Sequence, residues 1–185
     1  MEDIRYQEVI HHLILRYLDN GKKIALRVSG KSMHPLMRGG DPIQIEKCDP
    51  KELFIGDIIT FKKDGLYVTH RVLWLTKKGN GIRLITKGDN EINTDPPVLP
   101  LSVLGKVAFI ERGNRTLRLN TPFWRSMNRL LGVISLVETL CIHLYRSTAG
   151  RFLPVRILAP TSMKPFLYYR QIKNTGLRFT TGIIV

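Results

Sequence analysis

Cysteine is nearly absent: the 185 residues contain two, Cys48 and Cys141. Placed so far apart, they form neither a disulfide framework nor a metal-ligand spacing, and they leave the redox compartment open. The features of a secretory leader are missing from the start of the chain. Met1-Glu2-Asp3 is acidic, Arg5, Glu8 and the His11-His12 pair follow at once, and no apolar run leads to a small-residue cleavage site. No uninterrupted apolar run reaches the roughly 20 residues of a typical membrane span. The longest candidate, residues 130–145, contains Glu138 and His143. Acidic residues are scarce in one region only. Residues 1–110 carry 17 Lys/Arg against 13 Asp/Glu, whereas residues 111–185 carry 12 against 2, Glu111 and Glu138. The net charge of +14 therefore sits mostly in the C-terminal third. A basic, apolar third on a nearly balanced domain predicts an anionic partner surface. With no zinc-finger spacing and no helix-turn-helix, nucleic acid is not expected. The aromatic and apolar content of the same third points to an anionic membrane surface instead.

What the chain does contain is a dense series of short strands between two helical patterns. Residues 2–19 place Ile4, Val9, Ile10, Leu13, Ile14, Tyr17 and Leu18 near helical spacing, and Asp19-Asn20-Gly21 ends the run. This amphipathic helix is expected to pack on the domain or a partner, with His11 and His12 as ordinary helix residues. Strands are expected over 23–28, 42–47, 56–63, 66–76, 82–87, 103–111 and 116–119. Asp64-Gly65 and Gly113-Asn114 act as hairpin turns, and 88–100 forms a polar, proline-rich loop. Residues 122–146 turn helical again, with Pro122 at a start position and a broad apolar face from Leu130 to Leu144. That helix is expected to be amphipathic or to lie on a membrane rather than span it, with the protein membrane-associated, peripherally or weakly integrally. The expected organisation is an N-terminal amphipathic helix (1–21), a mainly β catalytic domain (22–120), a C-terminal apolar or amphipathic helix (121–149) and a basic, hydrophobic tail (150–185).

The chemistry centres on Val28-Ser29-Gly30-Lys31-Ser32-Met33-His34-Pro35, closed by Gly40-Asp41. Gly30 is expected to give the backbone freedom closed to other residues, and Pro35 to stiffen the exit. A serine in such a loop can be exposed while backbone N–H groups converge on one point, as acyl transfer requires. His70, in Tyr67-Val68-Thr69-His70-Arg71-Val72, lies on the longest expected strand. Downstream, Thr86-Lys87-Gly88-Asp89-Asn90-Glu91-Ile92-Asn93-Thr94-Asp95 offers two loop carboxylates, Asp89 and Asp95. A neutral imidazole suits the removal of a serine proton, and a carboxylate on its other nitrogen fixes tautomer and orientation. Ser32, His70 and one of the two aspartates are thus a candidate triad. Met33 and Phe61 are candidates either for a substrate pocket or for packing.

In these blocks the sequence resembles the type I signal peptidases, in the branch found in archaea and in the endoplasmic-reticulum signal peptidase complex. The matching segments are Gly30-Lys31-Ser32-Met33-His34-Pro35 with Gly40-Asp41, then Gly56-Asp57-Ile58-Ile59-Thr60-Phe61, His70-Arg71-Val72, and Thr86-Lys87-Gly88-Asp89-Asn90 with Asp95. The resemblance implies a β-rich fold and a serine endopeptidase with Ser32 as nucleophile, His70 as base and Asp95 as acid, without metal or cofactor. Asp89, Gly30 and Met33 become supporting residues, with Asp89 the alternative acid. It also implies a substrate bound as an extended strand along a sheet edge, with small side chains entering shallow pockets. Ser29-Gly30-Lys31-Ser32 is one residue longer than the usual Ser-Gly-Ser-Met and in this resembles the self-cleaving SOS-repressor proteases. The backbone N–H of Ser32 is then the expected oxyanion donor. Two other functions fit the same fold: a non-catalytic peptide- or partner-binding module, and a self-cleaving regulator. The regulator needs a scissile site before the catalytic domain, and Ala149-Gly150 lies after it.

Overall fold

The computed structural model describes residues 2–78 and 81–148. The expected tail, 150–185, lies outside the described residues. Helix α1 (Glu2–Asp19) leads into β1 (Ile24–Arg27) and β2 (Pro42–Glu46). Strands β3 (Ile58–Lys63), β4 (Leu66–Lys78) and β5 (Gly81–Lys87) follow. Then come β6 (Val103–Arg112), β7 (Arg115–Arg118) and helix α2 (Pro122–Thr148). Among the described residues the structure is mainly β, with one antiparallel sheet of seven strands and two α-helices, as expected. Single turns of 3-10 helix at Pro50–Glu52 and Pro100–Ser102 were not anticipated. Both begin at a proline, whose fixed φ suits the first position of a helical turn.

The strand order is β1-β2-β6-β3-β4-β5, with β7 paired to the far end of β6. Alternation along the strands divides the core in two. Ile58 joins a cluster with Met33, Leu36, Met37, Ile43, Ile45 and Trp124, while its neighbours Ile59 and Phe61 join Val72, Leu84 and Val98. The loop between β1 and β2 is rooted in the first cluster. Strands β4 and β5 carry the second. Ile14 and Leu18 fix α1 to the first cluster, and Val9, Leu13 and Tyr17 remain exposed. His11 stacks on Tyr67 of β4, with ring centroids 6.1 Å apart.

The β1–β2 loop is closed at its base. Val28 N donates to Asp41 O at 2.9 Å and Gly40 N to Val28 O at 2.7 Å. Gly40 turns there with φ +94°, which favours glycine. The Asp41 carboxylate accepts from Arg38 N at 2.8 Å and from the Arg112 guanidinium, which also donates to Leu36 O at 2.9 Å. Burial alone would raise the Asp41 pKa; the bonds from Arg112 and Arg38 outweigh it and hold the group below its ordinary value. A depressed carboxylate adds stability above its unfolded pKa, near 4, and loses that contribution as pH falls through the folded value. Asp41→Asn should therefore lower stability at pH 7 by about 1–3 kcal/mol. In thermal unfolding series, the gap between the two proteins should shrink as pH falls below about 4; a gap independent of pH would mean that Asp41 does not act through its charge.

Candidate active site

Strand pairing places His70 and the downstream loop together. Arg71 pairs with Lys87 and Val72 with Thr86 across β4 and β5. Successive side chains point to opposite faces, so His70, Val72 and Thr86 share one face while Arg71 and Lys87 share the other. After β5 the chain folds back along it: Asp95 N donates to Thr86 O at 2.8 Å, and Leu84 and Val98 exchange backbone bonds. This return delivers the Asp95 carboxylate to the His70 face.

There, His70 Nδ1 lies 2.6 Å from Asp95 Oδ2, and Thr86 Oγ1 donates to the same oxygen at 2.8 Å. Lys63 Nζ, from the end of β3, donates to Oδ1 at 3.1 Å. The Phe61 ring stands edge-on to His70, 6.3 Å between centroids. Burial by itself would raise the Asp95 pKa, yet the bonds from His70, Thr86 and Lys63 hold it below its ordinary value. Asp95 is thus an ionised carboxylate at neutral pH, fixed by three donors.

Asp89 goes elsewhere. Arg71 Nε and Nη2 each donate to one of its oxygens at 2.7 Å, and Arg71 Nη1 reaches Gly56 O at 2.9 Å. Arg71 is fully buried and Asp89 nearly so. The sequence left both aspartates open as partners for His70; in this structure Asp95 bonds the imidazole and Asp89 bonds the arginine beside it.

Ser32 sits in the turn after β1 and is half-buried. Its carbonyl accepts from Asn90 N at 2.7 Å, and Lys31 O accepts from Asn90 Nδ2 at 3.4 Å. A Cβ on Gly88 would stand 2.8 Å from Ser32 O and 3.0 Å from Ser32 Cβ. The serine loop is therefore seated on the Gly88–Asn90 turn, directly after the strand that holds Thr86. Among the described residues no hydrogen bond joins Ser32 Oγ to His70; backbone contacts, not a side-chain bond, bring the serine to this part of the sheet.

One expectation changes, and one open alternative closes. Gly30 does not use left-handed backbone, and a Cβ there would meet nothing nearer than Ser32 N at 4.0 Å. The glycine that the site requires is Gly88. Met33 and Phe61 are buried in the two core clusters, so both serve packing. Thr86, Lys63, Arg71 and Gly88 were not singled out. For Thr86, Gly88 and Arg71 the signal is their place within the matching segments. Among competing nucleophiles, burial pushes the Cys48 thiol up to about 11, so it stays protonated at neutral pH. Among the described residues, no three His, Cys, Asp or Glu side chains converge as metal ligands.

Residues 2–108 match the Peptidase S24-like family. The chain belongs to that family. Part of it is also similar to Signal peptidase I W of Bacillus subtilis (strain 168), 42% identical over 66 residues, which is 35% of each protein. The match thus spans about a third of that relative's length.

The two aspartates should separate by stability. Asp89→Asn leaves a buried guanidinium without its carboxylate, a loss of about 3–5 kcal/mol. Asp95→Asn, at a site with a partly exposed lysine, should cost less. Urea unfolding of the two variants checks this, and equal losses would mean that Arg71 finds another anion.

Proposed function

We propose that the chain is a serine endopeptidase of signal-peptidase type, with Ser32 as nucleophile, His70 as general base and Asp95 as the acid that orients it. The observation that carries this reading is the 2.6 Å contact from His70 Nδ1 to Asp95. It leaves Nε2 as the nitrogen available to a serine proton. The family membership and the partial similarity to a signal peptidase support the same reading.

In this reading a peptide binds as an extended strand at a sheet edge. Ser32 Oγ attacks the scissile carbonyl carbon while its proton passes to His70 Nε2. The oxyanion is met by the Ser32 backbone N–H. Collapse of the tetrahedral adduct breaks the C–N bond, and His70 returns the proton to the leaving amine. Water, deprotonated by the same nitrogen, then attacks the ester, and Ser32 is regenerated. Asp95 stays ionised throughout and stabilises the imidazolium. A Ser–His hydrogen bond is often long before substrate arrives and tightens on binding.

The second part of the proposal is attachment to an anionic membrane through α2. The apolar stretch is longer than the 130–145 run expected from sequence: Pro122–Leu144 is long and apolar enough to cross a bilayer by length and composition. It is also docked. Trp124, Asn128, Gly132, Ser135, Glu138 and Ile142 form its buried stripe, and Leu130, Val133, Val137, Leu140 and Leu144 face outwards. A spanning helix would strip Asn128 and Glu138 from the buried Arg71 and Lys87, so a position in the interface plane suits this fold better. Arg125, Arg129 and Arg146 are exposed and contribute on the order of 1 kcal/mol each near an anionic leaflet.

Ser32→Ala and His70→Ala should each abolish hydrolysis of a signal-peptide-like substrate, and Asp95→Asn should lower kcat by about 10²–10⁴-fold. Gly88→Ala should lower kcat as well, by displacing Ser32. Full activity of Ser32→Ala would end the proposal. For attachment, membranes carrying the chain are washed first with high salt and then at alkaline pH. Release is expected; retention through both washes means a true span, and absence from membranes at low salt means a soluble role.

A further inference from the structure

Between Trp124 and Ile142 the buried stripe of α2 is Asn128, Gly132, Ser135 and Glu138, unlike the apolar stripe of an ordinary core helix. Glu138 accepts from Lys87 Nζ at 2.7 Å, and both side chains are almost completely buried. Asn128 Oδ1 accepts from Arg71 Nη1 at 3.0 Å. The helix can approach this closely because two glycines meet under it. A Cβ on Gly132 would lie 2.6 Å from Gly56 N, and one on Gly56 only 2.1 Å from Asn128 O.

The residues held by this network are the immediate chain neighbours of those at the candidate site. Arg71 follows His70, and Lys87 follows Thr86, which bonds Asp95. Asp89, held by Arg71, follows Gly88, on which Ser32 rests. In a strand, fixing one side chain on the back face fixes the backbone that aims its neighbour on the front. The family match ends at residue 108, so α2 lies wholly beyond it.

We propose that Asn128 and Glu138 are positioning residues for the site: α2 holds the β4–β5 hairpin from behind, through Arg71 and Lys87, and so sets the alignment of His70, Asp95 and Ser32. This rests on the function proposed above. Removing Asn128 Oδ1 takes one acceptor from a guanidinium that keeps Asp89 and Gly56 O, and removing the Glu138 charge takes the carboxylate from Lys87 Nζ; each weakened hold lets the back-face side chain shift, and the front-face residue moves with it.

The test uses the full chain with Asn128→Leu, Asn128→Asp and Glu138→Gln, and Asn128→Ser if the leucine variant does not fold. Asn128→Asp keeps an acceptor for Arg71. Below the melting temperature of every variant, Asn128→Leu (or Ser) and Glu138→Gln should lower kcat at least tenfold with KM changed less than twofold. Asn128→Asp should stay within threefold of the parent. The proton on His70 Nδ1, bonded to Asp95, should give a far-downfield NMR signal in the parent and in Asn128→Asp, and a weakened or shifted one in the other two. Folded Asn128→Leu and Glu138→Gln with kcat within twofold of the parent would overturn the proposal. If the parent cleaves nothing, the function fails separately, and the NMR signal decides: an unchanged signal in every variant overturns the positioning role.

Discussion

A buried arginine is the constraint on which the rest of this structure depends. Arg71 has no exposed surface, and a guanidinium taken out of water must have its donors met. Asp89 meets two of them, Gly56 O and Asn128 Oδ1 the others named above. Those partners come from the loop after β5, the turn before β3 and the C-terminal helix. Satisfying one charge thus fixes three segments distant in sequence. Because His70 directly precedes Arg71 on the strand, the same requirement holds the imidazole in place.

The two sides of the β4–β5 hairpin do different work. The front carries His70, Thr86 and the returning Asp95. The back carries Arg71 and Lys87 under α2. A bilayer against the outer face of α2 would therefore lie behind the sheet, on the side away from His70, and a substrate anchored in it must pass round an edge of the sheet to reach the serine. The serine loop is anchored separately, by Asp41 and Arg112 at its base and by Met33, Leu36 and Met37 in the core. The two units meet at the Gly88–Asn90 turn, and α2 touches both, through Trp124 on one side and Asn128 and Glu138 on the other.

Most of the fold was legible in the sequence, because short β-prone runs between Gly, Asn and Asp turns leave few alternatives. Each of the seven expected strands has a counterpart within about two residues. The division of labour between Asp89 and Asp95 was not legible: both lie in one polar loop, and only the return of that loop along β5 separates them. Gly30 was misjudged for a related reason. A glycine beside a serine suggests a strained turn, but the close approach occurs at Gly88, from a segment more than fifty residues away in the chain. The polar seam under α2 was invisible because Asn128 and Glu138 look like interruptions of an apolar helix until their partners on β4 and β5 are known.

The central claim is that Ser32 is a nucleophile activated by His70. Its most direct measurement is mass-spectrometric mapping of the full chain after reaction with a peptidyl phosphonate, which phosphonylates an activated serine. The account predicts a single adduct on Ser32, absent in His70→Ala. No adduct on the parent chain, or an adduct on Cys141 or Lys63 instead, would contradict it.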